Sequence, residues 1–288
     1  MEPSVCATVV TRDRWALLQE CLGALEAQTR RPDEILLIDN ASTDGTPERV
    51  AERFPSVLIK SLPDNRGGAG GFHAGLAWGH ERGHGWLWCL DDDTIADPDA
   101  LEQLLAGAAR APAAPLVLAS RVEWIDGSSH PMNRPMLRWR WSGEFGRAAA
   151  RGLLLIRNAS FVSTMFAREC VERFGLPQAH FFLWTEDIEY TTRILRDEHG
   201  YLVPESRVEH RTKTTETALD DTTGRFYFHV RNYLLLLRGS GLRGVERLSS
   251  VRFYVTTLAS YLRRNRFRPA AAAVVARGVR DGLRGATR

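Results

Sequence analysis

The chain predicts an α/β fold: a mostly parallel, Rossmann-like sheet flanked by helices, followed by a helical C-terminal extension. Three observations carry that expectation. Short apolar runs alternate with segments of helical period through the N-terminal half, the pattern of a parallel sheet covered on both faces. Polar stretches close each run, so one rim of the sheet collects hydrogen-bonding and charged groups. Residues 241–288 change character, with eleven arginines against two acids and apolar residues at spacings of three and four. We therefore expect an α/β domain over residues 1–215 and a helical, arginine-rich region over 216–288.

Val5 to Val10 reads as the first strand; Thr11-Arg12-Asp13-Arg14 follows as a polar turn, and Trp15, Leu18, Cys21, Leu22 and Leu25 recur at helical spacing. Glu34 to Ile38 is a second strand ending in Asp39-Asn40-Ala41-Ser42-Thr43-Asp44-Gly45-Thr46, rich in turn and capping residues ahead of a helix over 48–53. Val57 to Ile59 is a third, leading into Asn65-Arg66-Gly67-Gly68-Ala69-Gly70-Gly71-Phe72 and a helix carrying Leu76 and Trp78. Such glycines either expose backbone N–H groups to a phosphate or let the helix pack close on the sheet. The stretch has no Gly-Lys-Ser/Thr and breaks G-x-G-x-x-G at His73. Trp86 to Leu90 is the fourth strand. Beyond it, Pro98 to Ala109 predicts a helix, and Leu116 to Ser120, Leu153 to Ile156 and Phe161 to Phe166 predict strands. Tyr201 to Val203 and Val208 to His210 read as two more short strands. Residues 122–150 have no clear period and are expected as irregular hairpins and a mobile loop. Their Trp124, Trp139 and Trp141 either stack on a sugar or belong to the core.

Composition narrows the class. At 44% hydrophobic and 25% charged the chain is an ordinary globular protein, not a disordered one. Its formal charge of +3 is unevenly laid out, +9 over residues 241–288 and −6 over the rest, which implies two different surfaces and no nucleic-acid partner. Cys6, Cys21, Cys89 and Cys170 show no metal-site or redox spacing and read as small buried hydrophobes in a reducing compartment. No charged segment leads into a signal-like apolar stretch, and no apolar run approaches the ~18 residues of a membrane span, so a cytoplasmic location is expected.

The chemistry concentrates where the fourth strand ends in Asp91-Asp92-Asp93. Adjacent carboxylates repel unless a cation sits among them, and alternation along an extended backbone turns Asp91 and Asp93 one way and Asp92 the other. Either this is a site for one hard divalent ion, Mg²⁺ or Mn²⁺, or the acids merely end a strand. A second acid group, Trp184-Thr185-Glu186-Asp187-Ile188-Glu189, follows the apolar Phe181-Phe182-Leu183 and opens a helix in which Glu189 and Arg193 form an i,i+4 pair. With Thr185 as N-cap, Glu186 and Asp187 occupy the first turn. They either complement the helix dipole or supply a base desolvated beside an apolar wall. His210 is either a structural hydrogen-bonder or a ligand.

Taken together, these stretches resemble the inverting glycosyltransferases of family 2, with the nucleotide-sugar-binding fold called GT-A. The resemblance covers residues 4 to about 237 and rests on Thr11 to Arg14, Ile38 to Thr46, Asp91 to Asp93, Glu186-Asp187-x-Glu189 with Arg193, and His210. Asn65 to Phe72, and Arg231-Asn232 after Phe226-Tyr227-Phe228, are similar to bacterial galactofuranosyltransferases and related rhamnosyltransferases. The resemblance implies that Thr11, Arg14, Asp39, Asn40, Asn65 and Asp92 hold the nucleotide of a UDP- or dTDP-linked sugar. It implies that Asp91, Asp93 and His210 hold Mn²⁺ or Mg²⁺, and that Asp187 is the catalytic base. Gly68, Gly70, Gly71, Trp184 and Glu186 would shape the sugar and acceptor pockets. One departure stands out: the family often carries two aspartates after the tryptophan, whereas here Thr185 intervenes and Glu186 replaces the first.

Two rival classes remain at this stage, a nucleotidyltransferase and a non-catalytic nucleotide-sugar-binding scaffold. The first normally sets its glycine loop directly after the first strand, where this chain has Thr11-Arg12-Asp13-Arg14. The second is disfavoured by the full set Asp91, Asp93, Asp187 and His210. In the C-terminal region, Leu248, Val251, Val255, Leu258 and Leu262 form one stripe ahead of Arg263, Arg264, Arg266 and Arg268. That pattern is expected either to pack on the domain or to rest on the inner face of an anionic membrane beside a polyprenyl-diphosphate-linked acceptor.

Overall fold

The computed structural model describes residues 3–138, 141–212 and 218–285; Trp139 and the expected 215/216 boundary lie outside the described residues. Strands β1 (Val5–Thr11), β2 (Glu34–Asp39), β3 (Leu58–Ser61) and β4 (Trp86–Asp91) alternate with helices α1 (Trp15–Glu26), α2 (Thr46–Arg53) and α3 (Gly67–Glu81). These four strands pair in parallel in the order β3-β2-β1-β4. All of β1 is buried, as a strand covered on both faces must be.

After β4 the chain turns through β5 (Thr94–Ala96) into α4 (Ala100–Arg110), then β6 (Val117–Glu123), β7 (Met136–Leu137), α5 (Ser142–Ala149), β8 (Leu154–Asn158) and β9 (Ser163–Ala167). Helices α6 (Glu169–Phe174) and α7 (Glu186–Ile194) precede β10 (Gly200–His210). The sheet runs on as β9-β6-β10-β8-β7, with β5 pairing β10. Its second half is mixed, because β9 enters antiparallel between β4 and β6. Apolar patterning marks strands without their direction, so this inversion is not readable from the sequence.

Two strands expected over 201–210 are one. Strand β10 pairs β6 throughout but slips register between Val203 and Arg207, where Pro204 has no N–H to offer the ladder. Its end pairs antiparallel with β5, His210 opposite Thr94. In the stretch without period, Ser142–Ala149 forms a helix that two glycines disguise, and Trp141 joins the core beneath the Arg138 guanidinium, 3.7 Å away. Trp124 donates its indole N–H to the Thr212 carbonyl at 3.2 Å.

Helix α3 approaches the sheet on glycine. A Cβ on Gly71 would lie 2.3 Å from Val10 Cγ1, and one on Gly75 2.2 Å from Thr8 Cγ2, so the close-packing reading of this stretch applies to its helical part. The C-terminal helices α8 (Phe226–Arg238), α9 (Gly244–Arg264) and α10 (Pro269–Arg284) share a separate apolar cluster. The expected stripe on α9 is split. Tyr254, Thr257 and Tyr261 face inward, Tyr261 stacking on Phe226 at 3.7 Å, and Leu258 and Leu262 pack beside them. Leu248, Val251 and Val255 stay exposed. Among the described residues no helix is long and apolar enough to cross a membrane.

Candidate active site

The carboxyl ends of β1, β2 and β4 meet at one rim. Asp92 turns back toward β1, accepting from Thr11 Oγ1 at 2.7 Å and Arg14 Nη1 at 3.0 Å, while Arg14 Nη2 reaches Asp93 Oδ2 at 3.0 Å. Asp39 accepts from the Ser42 N–H at 3.1 Å. Asn40 bridges to the glycine stretch, its Oδ1 accepting from Arg66 N at 2.8 Å and its Nδ2 donating to Gly67 O at 2.9 Å. Asn65 Oδ1 accepts from Gly67 N. Both asparagines thus fix the loop that reaches α3; their side-chain oxygens are used within the protein.

On the other side of the acids, Asp91, Asp93 and His210 present one ligand atom each within 4.8 Å of one another. The β5–β10 register brings the histidine here, with Arg211 N donating to Asp93 O at 2.9 Å. His210 Nε2 lies 3.1 Å from Asp93 Oδ1, and its Nδ1 faces Asn133 Oδ1 at 2.9 Å. Asn133 in turn donates to Ser160 Oγ at 3.0 Å. A neutral imidazole donating Nδ1–H to Asn133 leaves the Nε2 lone pair aimed at the acids, as a metal ligand requires.

Electrostatics agree with a cation site. Burial, then Asp93, pushes the Asp91 carboxyl up to about 7, and burial pushes Asp92 up to about 6 against the pull of Arg14. Burial alone would raise Asp93 as well, but the His210 hydrogen bond and charge, with Arg14, hold it below the usual carboxylate range. Burial likewise opposes the charge on His210, and Asp93 outweighs it, so the imidazole sits above its ordinary value. Two carboxylates and an imidazole suit Mn²⁺ or Mg²⁺, with the nitrogen donor favouring Mn²⁺.

Asp91 and His210 line a cavity of about 870 Å³ that also takes in Gly68, Trp184, Glu186 and Asp187. Gly70 and Gly71 do not line it; they face Arg66 and Val10. Glu186 is buried, its Oε2 without a hydrogen-bond partner among the described residues. Burial, then Asp187, lifts Glu186 well above the carboxylate range, while burial lifts Asp187 to about 6 against backbone N–H donors including Ile188. Both carboxyls of this adjacent pair are thus held above their ordinary values, which suits proton exchange near neutral pH. Thr185 stands at the N-cap position, but in the left-handed region (φ 77°) and without a capping bond from its side chain. Phe182 (φ 64°) and Trp184 (φ 62°) are left-handed too, each such residue costing about 1–2 kcal/mol. A larger depression of 1160 Å³ at the opposite rim gathers none of the candidate residues.

Asn133, His130 and the C-terminal residues His229, Tyr233 and Phe253 also line the cavity. Sequence patterning gave no signal for them: Asn133 stands 77 positions from its histidine, in the stretch without period.

A sheet ordered β3-β2-β1-β4 with acids and a histidine at its carboxyl rim has the GT-A architecture. The chain belongs to glycosyl transferase family 2, which it matches over residues 6–175. It is 30% identical over 269 residues to galactofuranosyltransferase GlfT1 of Mycolicibacterium smegmatis, covering 86% of this chain and 88% of that one. The N-acetylglucosaminyl-diphospho-decaprenol L-rhamnosyltransferase of Mycobacterium tuberculosis is 31% identical over 131 residues, 41% of each chain. The crystal structure of S. aureus TarS 1-349 in complex with UDP-GlcNAc superposes with a TM-score of 0.66 at 14% identity, covering 97% of this chain and 80% of that one. The protein is thus a glycosyltransferase, and the nucleotidyltransferase and scaffold readings fall away.

Proposed function

We propose that this glycosyltransferase moves galactofuranose or rhamnose from a UDP- or dTDP-linked donor to a hydroxyl of a lipid-linked glycan, with inversion. The observation that carries the reading is the shared cavity: Asp91 and His210 of the candidate metal triad and the carboxylate of Asp187 open into one space. Thr11, Arg14, Asp39, Asn40, Asn65 and Asp92 form the nucleotide side, Asn40 and Asn65 by shaping the loop. Asp91, Asp93 and His210 would hold the divalent ion, which when bound supplies positive charge to the departing diphosphate. Asp187 takes the proton of the acceptor hydroxyl on the opposite face of the sugar. Trp184 offers a flat wall, with the Arg225 guanidinium of the same cavity over its ring at 5.2 Å, and Glu186 with Gly68 borders the sugar. The names of the relatives support the two donor sugars.

The acceptor end of the reading rests on residues 216–288. Val245, Leu248, Val251 and Val255 form an exposed apolar row on α9, and Phe253, on another face of the same helix, lines the cavity. Among the described residues no ion pair engages Arg252, Arg263, Arg266 or Arg268. An exposed apolar row on a helix that carries Arg252 and runs on into Arg263, Arg266 and Arg268 matches an anionic lipid surface, which would seat the enzyme peripherally on the inner face of the cell membrane. The test is a donor screen with UDP-galactofuranose and dTDP-rhamnose, reading released nucleotide with and without a polyprenyl-diphosphate acceptor. Turnover of neither donor would overturn the proposal.

A further inference from the structure

The residues that open the helix of the candidate base are held by a helix outside the sheet. Phe182 sits at φ 64°, ψ −58°, with Leu183 N donating to Phe181 O at 2.7 Å, the rare and strained form of a three-residue turn. Trp184 and Thr185 follow in the left-handed region, and Glu186 and Asp187 come next. Nothing in these residue types favours that shape, since none of the three is glycine.

What they face explains it. The left-handed path turns the carbonyls of Phe181, Leu183 and Trp184 toward one point, where Asn232 Nδ2 donates to them at 2.9, 2.8 and 2.8 Å, two hydrogens shared by three acceptors. Arg231 Nη2 donates to His180 O at 2.7 Å and Phe181 O at 2.9 Å, and its Nε donates to Asn232 Oδ1 at 2.9 Å, which fixes the amide with its NH₂ toward the loop. Both side chains are essentially without solvent contact, and the rings of Tyr227 and Phe228 flank the guanidinium at 5.5 and 5.3 Å. On its other side the same loop meets the glycine stretch: Phe182 O accepts from Ala69 N at 3.2 Å, and a Cβ on Gly67 would lie 1.9 Å from that oxygen.

We propose that Arg231 and Asn232 are positioning residues that hold the Phe182–Thr185 turn in its strained form and so set where Asp187 points into the cavity. The C-terminal helix α8 is then part of the catalytic apparatus, not an appendage to it. The inference rests on Asp187 being the base, and the experiment separates the two.

Steady-state rates and UDP binding by calorimetry with Mn²⁺ are measured for the full-length wild type and Asn232→Ala. They are also measured for the Asn232→Ala, Thr185→Gly double variant, Leu236→Ala and Asp187→Asn. Leu236 is buried on the same helix and makes no bond to the turn, so it reports loss of packing alone. Asn232→Ala is expected to lower kcat by about 10–100-fold with UDP affinity within about threefold, because a displaced base costs rate and not nucleotide binding. Glycine at 185 removes the conformational penalty and is expected to return kcat at least about threefold toward wild type, a response that a role in packing alone would not produce. Leu236→Ala is expected to keep kcat per folded molecule. Wild-type kcat in Asn232→Ala, no recovery in the double variant, or an equal loss in Leu236→Ala overturns the proposal. Should Asn232→Ala not yield folded protein, Arg231→Lys is held to the same split between kcat and UDP affinity. Normal turnover by Asp187→Asn would instead displace the base, whatever the behaviour of Asn232.

Discussion

At the scale of single residues the site works by pushing like groups apart in their proton affinity. Asp187 and Glu186 are neighbours in sequence; burial, then Asp187, raises Glu186 well above its ordinary value, and burial raises Asp187 to about 6. A base must be ionised to act, so turnover should be full above that value and fall about tenfold per pH unit below it, measured as kcat/KM against pH. Asp187→Asn keeps the shape and removes the basicity; we expect kcat to drop by ~10²–10⁴ with nucleotide binding retained. Normal turnover by Asp187→Asn and loss in Glu186→Gln would reverse the two roles. At the other acid group, Asp93→Ala removes one partner each of His210 and Arg14. Turnover and its stimulation by Mn²⁺ should vanish together, and a wild type fully active in excess chelator would refute the metal reading.

At the scale of elements, glycine decides how closely α3 lies on β1. Because Gly71 already touches Val10 and lies outside the cavity, Gly71→Ala should act on stability first, by about 1–3 kcal/mol in denaturant unfolding, as overpacked sites do. An alanine variant as stable as wild type, but unable to bind donor, would return Gly71 to the pocket. The same element shows how far the sequence could be read. The strands that open the chain were legible from apolar runs and the turn residues closing them, and so were Asp91 to Asp93 at their rim. What was not legible depends on pairing between distant segments. The reversed direction of β9, the short β5 after the acids, and the Asn133 support for His210 have no local signature. The left-handed run at 182–185 was hidden for a related reason, since its cause lies 48 to 51 residues away on α8.

At the scale of the whole molecule the charge asymmetry acquires a direction. The apolar row Val245, Leu248, Val251 and Val255 lies on α9, whose Phe253 lines the cavity from another face, so a surface docked on the row would meet the helix that helps to wall the site. We expect the full chain to sediment with vesicles containing anionic lipid, and Leu248→Glu with Val255→Glu to weaken this at least tenfold while leaving the fold intact, both side chains being exposed. Binding should fall as salt rises. Equal sedimentation of wild type and variant, or indifference to salt, would remove the membrane from the account.

The pairing of β10 with β5 bears on when the site comes into existence as well as where. Asp91 and Asp93 are made early in the chain, but the third proposed ligand waits for residue 210, with Asn133 at its Nδ1. A polypeptide halted before β10 therefore carries the acids without the imidazole, and a chain with β10 unpaired is in the same condition. On the proposed metal reading, affinity for the cation is a property of the completed sheet, and an ion bound there would stabilise the finished molecule over every unfinished one. On the proposed reading the ion's place is complete once β10 has closed on β5, and the aim of Asp187 is set later still, when α8 reaches the turn before it.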